Sequence, residues 1–96
     1  MLTLEQLRDQ RETLIALADR YKAENVRVFG SVARGEANEK SDLDLLVHFR
    51  AGASLFDLID LKEDAEKLLG FAVDVVSDGG LSPYLKERIL NEARPL

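Results

Sequence analysis

There is no cysteine in this chain of 96 residues, which excludes a disulfide framework and thiolate metal sites. Histidine occurs once, so carboxylate oxygen is the metal donor present in number. No apolar run approaches the roughly 18 residues that a membrane-spanning helix needs. The opening MLTLEQLRDQ lacks the basic-then-apolar layout of a signal peptide. These absences point to the cytoplasm and away from any membrane. Basic residues are the minority, 13 against 18 acidic, for a net charge of −5. No basic patch is concentrated anywhere, so direct nucleic-acid binding is not expected. An acidic chain can still hold a nucleotide if metal ions bridge the like charges, and it can pair with a basic protein.

What is present amounts to one small α/β domain over residues 1–96, with no linker, internal repeat or low-complexity tract. A domain of this size has little core to spare, which makes a homo- or hetero-oligomeric partner a natural source of extra burial. Thr3 with Gln6 three residues on forms a capping-box pattern, and Leu4, Leu7, Leu14, Leu17, Ala18 and Tyr21 recur near helical spacing. This predicts a long amphipathic helix over 4–24. Val26 to Phe29 reads as a strand, Ser31 to Gly35 as a short helical turn, and 36–41 as polar loop. Leu43 to Phe49 reads as a second strand. Ser54 caps a helix over 55–69 that Gly70 stops. Phe71 to Val76 is the third strand, and Ser82 with Pro83 opens a last helix running to about Ala93. The expected fold is a small mixed β-sheet of about three strands packed by helices.

Side chains alternate along a strand. Leu43, Leu45, Val47 and Phe49 therefore share an apolar face, while Asp42, Asp44, Leu46 and His48 share the other. Asp42 and Asp44 lie about 6–7 Å apart along the chain. Asp74 is the one charged residue inside the third strand, and such a residue is costly there unless it is paired or holds a metal. If the second and third strands are neighbours, three carboxylates converge and repel each other. Divalent cations resolve that repulsion, and hard oxygen donors suit Mg²⁺ best. An Asp-x-Asp pair alone is usually a turn or a solvated edge. Gly30-Ser31, at the end of a preceding strand, supplies context, because glycine permits close backbone approach and serine offers a hydroxyl to an anion. Gly30 and Gly35 have the glycine spacing of a P-loop, but Glu36-Ala37 replaces its Lys-Ser/Thr, which excludes that reading.

Gly30-Ser31, ten residues, then Asp42-Leu43-Asp44 resembles the signature of the DNA polymerase β-like nucleotidyltransferase superfamily. The fuller string over 29–47 is similar to the minimal nucleotidyltransferase (MNT) family, whose members are about this long. The resemblance implies that Asp42 and Asp44 hold two Mg²⁺ ions bridging the triphosphate of ATP. It implies that Asp74 helps bind one ion and activates the acceptor hydroxyl, and that Gly30 and Ser31 contact phosphate oxygens. Arg34 either steadies a phosphate or is a surface arginine. Lys40 reads as solvated loop and Ser41 as a turn residue. His48 reads as a partly buried strand histidine and not a general base. Tyr21 and Tyr84 are conceivable self-modification acceptors, with packing the favoured role for both.

Members of that family resemble antitoxins that transfer AMP from ATP to a tyrosine of a helical HEPN-domain toxin. The same is expected here, with the acceptor held by another polypeptide because the chain leaves no room for an acceptor domain. Two other readings stay open. One is a binding module that neutralises its partner by occlusion, and the other is a nucleotidyltransferase acting on a small molecule.

Overall fold

The computed structural model describes residues 2–96. The chain begins with α1 (Leu4–Asp9) and α2 (Arg11–Arg20). The expected capping box is formed. The Gln6 amide donates to Thr3 Oγ1 at 3.1 Å, and the Thr3 amide donates to Gln6 Oε1 at 3.0 Å. The single helix expected over 4–24 is instead two, broken at Gln10. Leu7 and Leu14 are buried, but the six residues between them are polar and exposed and give that stretch no packing to hold it. The helix also stops earlier than expected, because Lys22 adopts a left-handed conformation (φ 65°) that turns the chain straight into β1 (Ala23–Phe29).

After β1 come the short α3 (Gly30–Arg34), β2 (Leu43–Phe49), α4 (Leu55–Leu69), β3 (Val73–Ser77), a single 3₁₀ turn at Asp78–Gly80, α5 (Pro83–Glu92) and β4 (Arg94–Pro95). Helix α4 begins and ends as its sequence requires. The Ser54 amide donates to Asp57 Oδ2 at 2.8 Å in a second capping box. Gly70 closes the helix at φ 65°, where a side chain would be strained. Strand β3 starts two residues later than expected, where the Val73 amide donates to Glu66 Oε2 on α4 at 3.0 Å.

The sheet is mixed, as expected, with four strands in the order β3-β2-β1-β4. Strands β1 and β2 are antiparallel, β2 and β3 parallel with α4 as the crossover, and β1 and β4 antiparallel. The fourth strand was not anticipated. It is two residues long and contains a proline, so it carries no alternation to read, but it leads Leu96 into the core, where 7% of that residue stays exposed. In β1 the register slips between Glu24 and Arg27, with Asn25 at φ 51° forming the irregularity.

One face of the sheet is covered. Val28, Leu43, Leu45, Val47, Val73 and Val75 pack with Leu7 of α1, Leu14 and Ala18 of α2, and Leu61 and Ala65 of α4. The alternation read from the sequence assigned this face correctly. The opposite face carries Arg27, Asp44, Leu46, His48, Asp74 and Val76, as the strand registers require. Leu46 is fully buried there but stands apart from the main core.

Leu61 is buried at the contact of α4 with the sheet. Leu61→Ala is expected to lower unfolding free energy by about 2–5 kcal/mol, measured by urea denaturation. A loss below about 1 kcal/mol would place the core elsewhere.

Candidate active site

The strand pairing answers the question that the sequence left conditional. Strands β2 and β3 are neighbours, and Asp44 and Asp74 are direct register partners. In adjacent strands, partners stand about 4.8 Å apart at the backbone and point to the same face. Asp42 precedes β2 by one residue and is exposed, Asp44 is half-buried, and Asp74 is exposed on the edge strand. A self-stitched turn delivers the chain to Asp42. Within it the Asn38 amide donates to Ser41 Oγ at 2.9 Å, and the Lys40 amide to Asn38 Oδ1 at 2.8 Å. Ser41 thus shapes the turn, and Lys40 is solvated, both as read from the sequence.

Gly30 faces Asp44 from the junction of β1 and α3. Its φ is +74°, and a Cβ there would collide with Oδ2 of Asp44 and lie 3.0 Å from its Cγ. Glycine suits the dihedral, and any side chain there would also push the Asp44 carboxylate from its place. Ser31 follows, half-buried. Gly35 ends α3 at φ 73°, with open space where its side chain would be.

Burial pushes the Asp44 carboxyl up to about 6, and repulsion from Asp74, then Asp42, then Glu92 adds to the effect while Arg34 opposes it. Among the described residues, no three acidic or imidazole groups are drawn together into a ready-made metal cage. That is compatible with Mg²⁺, which is commonly held by one or two carboxylates with substrate phosphates completing the shell. The donors are all hard oxygens, and the contact of Gly30 with Asp44 is a cradle that any side chain would fill, so the residues present fit such an ion.

These groups open onto a cleft of about 460 Å³ lined by Phe29, Gly30, Ser31, Arg34, Asp42 and Asp44 on one side, and by Leu85, Arg88, Ile89 and Glu92 of α5 on the other. Asp74 is not among the lining residues; it stands one strand further out, beside Asp44. Arg34 lines the cleft and is not a free surface arginine. It pairs with Glu36 at 3.0 Å and with Glu92 of α5. The α5 wall was missed in the sequence. Its spacing 85, 88, 89, 92 is a helical stripe that faces the cleft, and α5 has no buried residue.

Three smaller expectations need correction or placement. His48 is not partly buried; its side chain is 53% exposed and pairs through Nδ1 with Asp78 Oδ1 at 3.0 Å. Asp78 Oδ2 also accepts from Arg27 Nη2 at 2.9 Å. Burial works to raise the Asp78 carboxyl, but the hydrogen bonds from His48 and Arg27 outweigh it and hold the group below the usual range. This cluster ties the turn before α5 to β1 and β2, away from the cleft. Tyr21 packs against the core and donates to Asp64, as favoured. Tyr84 does not pack; it is 94% exposed at the start of α5.

Comparison with known proteins places the chain. The nucleotidyltransferase domain family matches residues 11–96. A solved structure of a candidate minimal nucleotidyltransferase superposes with a TM-score of 0.88 at 56% identity, covering 99% of this chain and 97% of that one. The protein adenylyltransferase MntA of Thermococcus cleftensis is 39% identical over 97 residues, covering 96% of this chain and 94% of that protein. A complex of the tri-AMPylated Shewanella oneidensis HEPN toxin with its MNT antitoxin contains a chain of the same fold. Its TM-score is 0.70 at 18% identity, over 92% of this chain and 69% of that one.

Two outcomes test this geometry. Gly30→Ala is expected to destabilise the fold by about 2–3 kcal/mol, against about 1 kcal/mol for Gly35→Ala, whose dihedral is similar but whose surroundings are open. Equal losses in urea denaturation would mean that Asp44 does not press on Gly30. The second concerns charge. The folded state favours protonated Asp44, so stability is highest below about pH 4 on this account and is lost as pH rises through about 6. With chelator present, Asp44→Asn is expected to stabilise the protein at pH 7.5 by about 1–2 kcal/mol after allowance for solvent screening, and to change little at pH 4. Melting curves at both pH values check the sign.

Proposed function

The chain belongs to the nucleotidyltransferase domain family, and on that premise we propose that it is a Mg²⁺-dependent adenylyltransferase that transfers AMP from ATP to a tyrosine of a HEPN-domain toxin and so acts as its antitoxin. The observation that carries the chemistry is the in-register pairing of Asp44 with Asp74 beside Gly30. The choice of nucleotide and acceptor is supported by the relatives: an adenylyltransferase at 39% identity and an AMPylated HEPN toxin bound to a chain of the same fold.

In this reading Asp42, Asp44 and Asp74 are the carboxylates that would hold two Mg²⁺ ions. Bound there, the metal would offset phosphate charge and the charge of the departing pyrophosphate. Gly30 lets the triphosphate approach the backbone closely, and the Ser31 hydroxyl and the Arg34 guanidinium contact phosphate oxygens. Asp74, exposed on the edge strand, meets an acceptor arriving from solvent and takes the phenolic proton. The tyrosine oxygen forms a bond to the α-phosphorus. The bond from that phosphorus to the oxygen bridging to the β-phosphate breaks, and pyrophosphate leaves with the electron pair. The cleft is open and Asp74 is exposed just outside its lining, which fits an acceptor presented by another protein.

The test is incubation of the protein with a HEPN-domain partner, ATP and Mg²⁺, followed by intact-mass analysis. An AMP-sized gain on the partner is expected, abolished by EDTA and by Asp42→Ala/Asp44→Ala, and slowed at least about 100-fold by Asp74→Asn. Replacement of the partner's acceptor tyrosine by phenylalanine removes the gain. A partner silenced equally by the double variant, with no mass change, would establish occlusion instead. Transfer to a small molecule without any partner would establish the other alternative.

A further inference from the structure

Two guanidinium groups face the cleft, and they differ in their surroundings. Arg34 is already engaged, by Glu36 beside it and by Glu92 from the opposite wall. Arg88 stands four residues before Glu92 on the same face of α5 and lines the same cleft. Among the described residues it makes no hydrogen bond or ion pair. Its neighbours on the wall, Leu85 and Ile89, are apolar, so Arg88 is the only cation that α5 presents to the cleft.

The charge balance gives this difference a use. Asp42 and Asp44 on one wall and Glu92 on the other make the cleft acidic, with Asp74 close by. A nucleoside triphosphate adds more negative charge than divalent cations on the carboxylates can offset in full. A guanidinium matches phosphate oxygens with a planar fork of donors. Arg34 holds Glu36 through Nε and Glu92 through Nη1, so a phosphate that takes a two-pronged grip on Nη1 and Nη2 competes with Glu92 for Nη1. Arg88 has no carboxylate engaged, because Glu92, one turn along α5, is held by Arg34.

Resting on the reading above, we propose that Arg88 binds the β- and γ-phosphates of the nucleotide, and that Glu92 is a built-in competitor that occupies Arg34 until those phosphates displace it. Recognition of the phosphate tail is then shared by two arginines on facing walls, one free at the outset and one released. The device selects for length of the phosphate chain. A monophosphate on the metal ions has no tail to reach Arg88 or to exchange with Glu92.

The experiment is equilibrium binding of ATP, ADP and AMP, each with Mg²⁺, to the wild-type protein and to Arg88→Ala, Arg88→Lys and Glu92→Gln, by calorimetry. Arg88→Ala is expected to weaken ATP about 10–100-fold while leaving AMP within about 2-fold. Arg88→Lys, which keeps the charge but loses the fork, falls between. Glu92→Gln is expected to tighten ATP about 3–10-fold and leave AMP unchanged. ATP affinity unaltered by Arg88→Ala, or equal losses for ATP and AMP, would overturn the role of Arg88. Weaker ATP binding in Glu92→Gln would overturn the competition. A wild-type protein that binds none of the three nucleotides would instead refute the adenylyltransferase reading itself, and this inference with it. Arg88 is exposed, and far-ultraviolet circular dichroism of each variant checks that α5 is retained.

Discussion

Asp44 and Asp74 occupy the same rung of a parallel ladder, pointing to the same face, with Asp42 just before. With Asp44 half-buried, the repulsion from its two neighbours and its own desolvation work against folding at neutral pH. The rest of the molecule is arranged around that tension. The helices cover the other face, where Leu43, Leu45, Val47, Val73 and Val75 interleave with the carboxylates along the same strands. Gly30 yields its side chain so that Asp44 fits against the backbone. Arg34 supplies the nearest positive charge from the end of α3, and its pull on Asp44 is weaker than the combined push.

Much of this was legible in the amino-acid order because it rests on short-range periodicity. Two-residue alternation separated the packing face of β2 from its chemical face. Capping residues marked both ends of α4, and Ser82 with Pro83 marked the start of α5. The spacing of Gly30-Ser31 to Asp42 and Asp44 pointed to the family. What escaped depends on contacts distant in the chain. The cleft wall of Leu85, Arg88, Ile89 and Glu92 exists only because α5 returns to lie beside α3, and no local pattern distinguishes a stripe that lines a cleft from one that packs. Strand β4 is formed by pairing with β1, where Arg94 meets Val28 and Pro95 meets Arg27 from the far end of the chain, and its two residues carry no signal of their own. The break at Gln10 and the turn at Lys22 are likewise settled by where the neighbouring leucines find something to cover.

Helix α5 occupies an unusual place in this domain. It buries no residue, yet it forms half of the cleft and is joined at one end to the turn held by Arg27, Asp78 and His48, and at the other to β4. Its position is thus set by its two tethers and by the ion pair of Glu92 with Arg34 more than by apolar packing. Elements with few buried contacts are the ones that proteins can move at low free-energy cost.

The division between the two faces of β2 reaches beyond this one site. Leu43, Leu45 and Val47 answer to folding, Asp44 and His48 answer to solvent and chemistry, and Leu46 between those two is the buried exception on their face. Inheritance can therefore alter one set while selection holds the other. A scaffold built this way is free to diversify its chemistry at single-residue resolution, on the very strands that keep it folded.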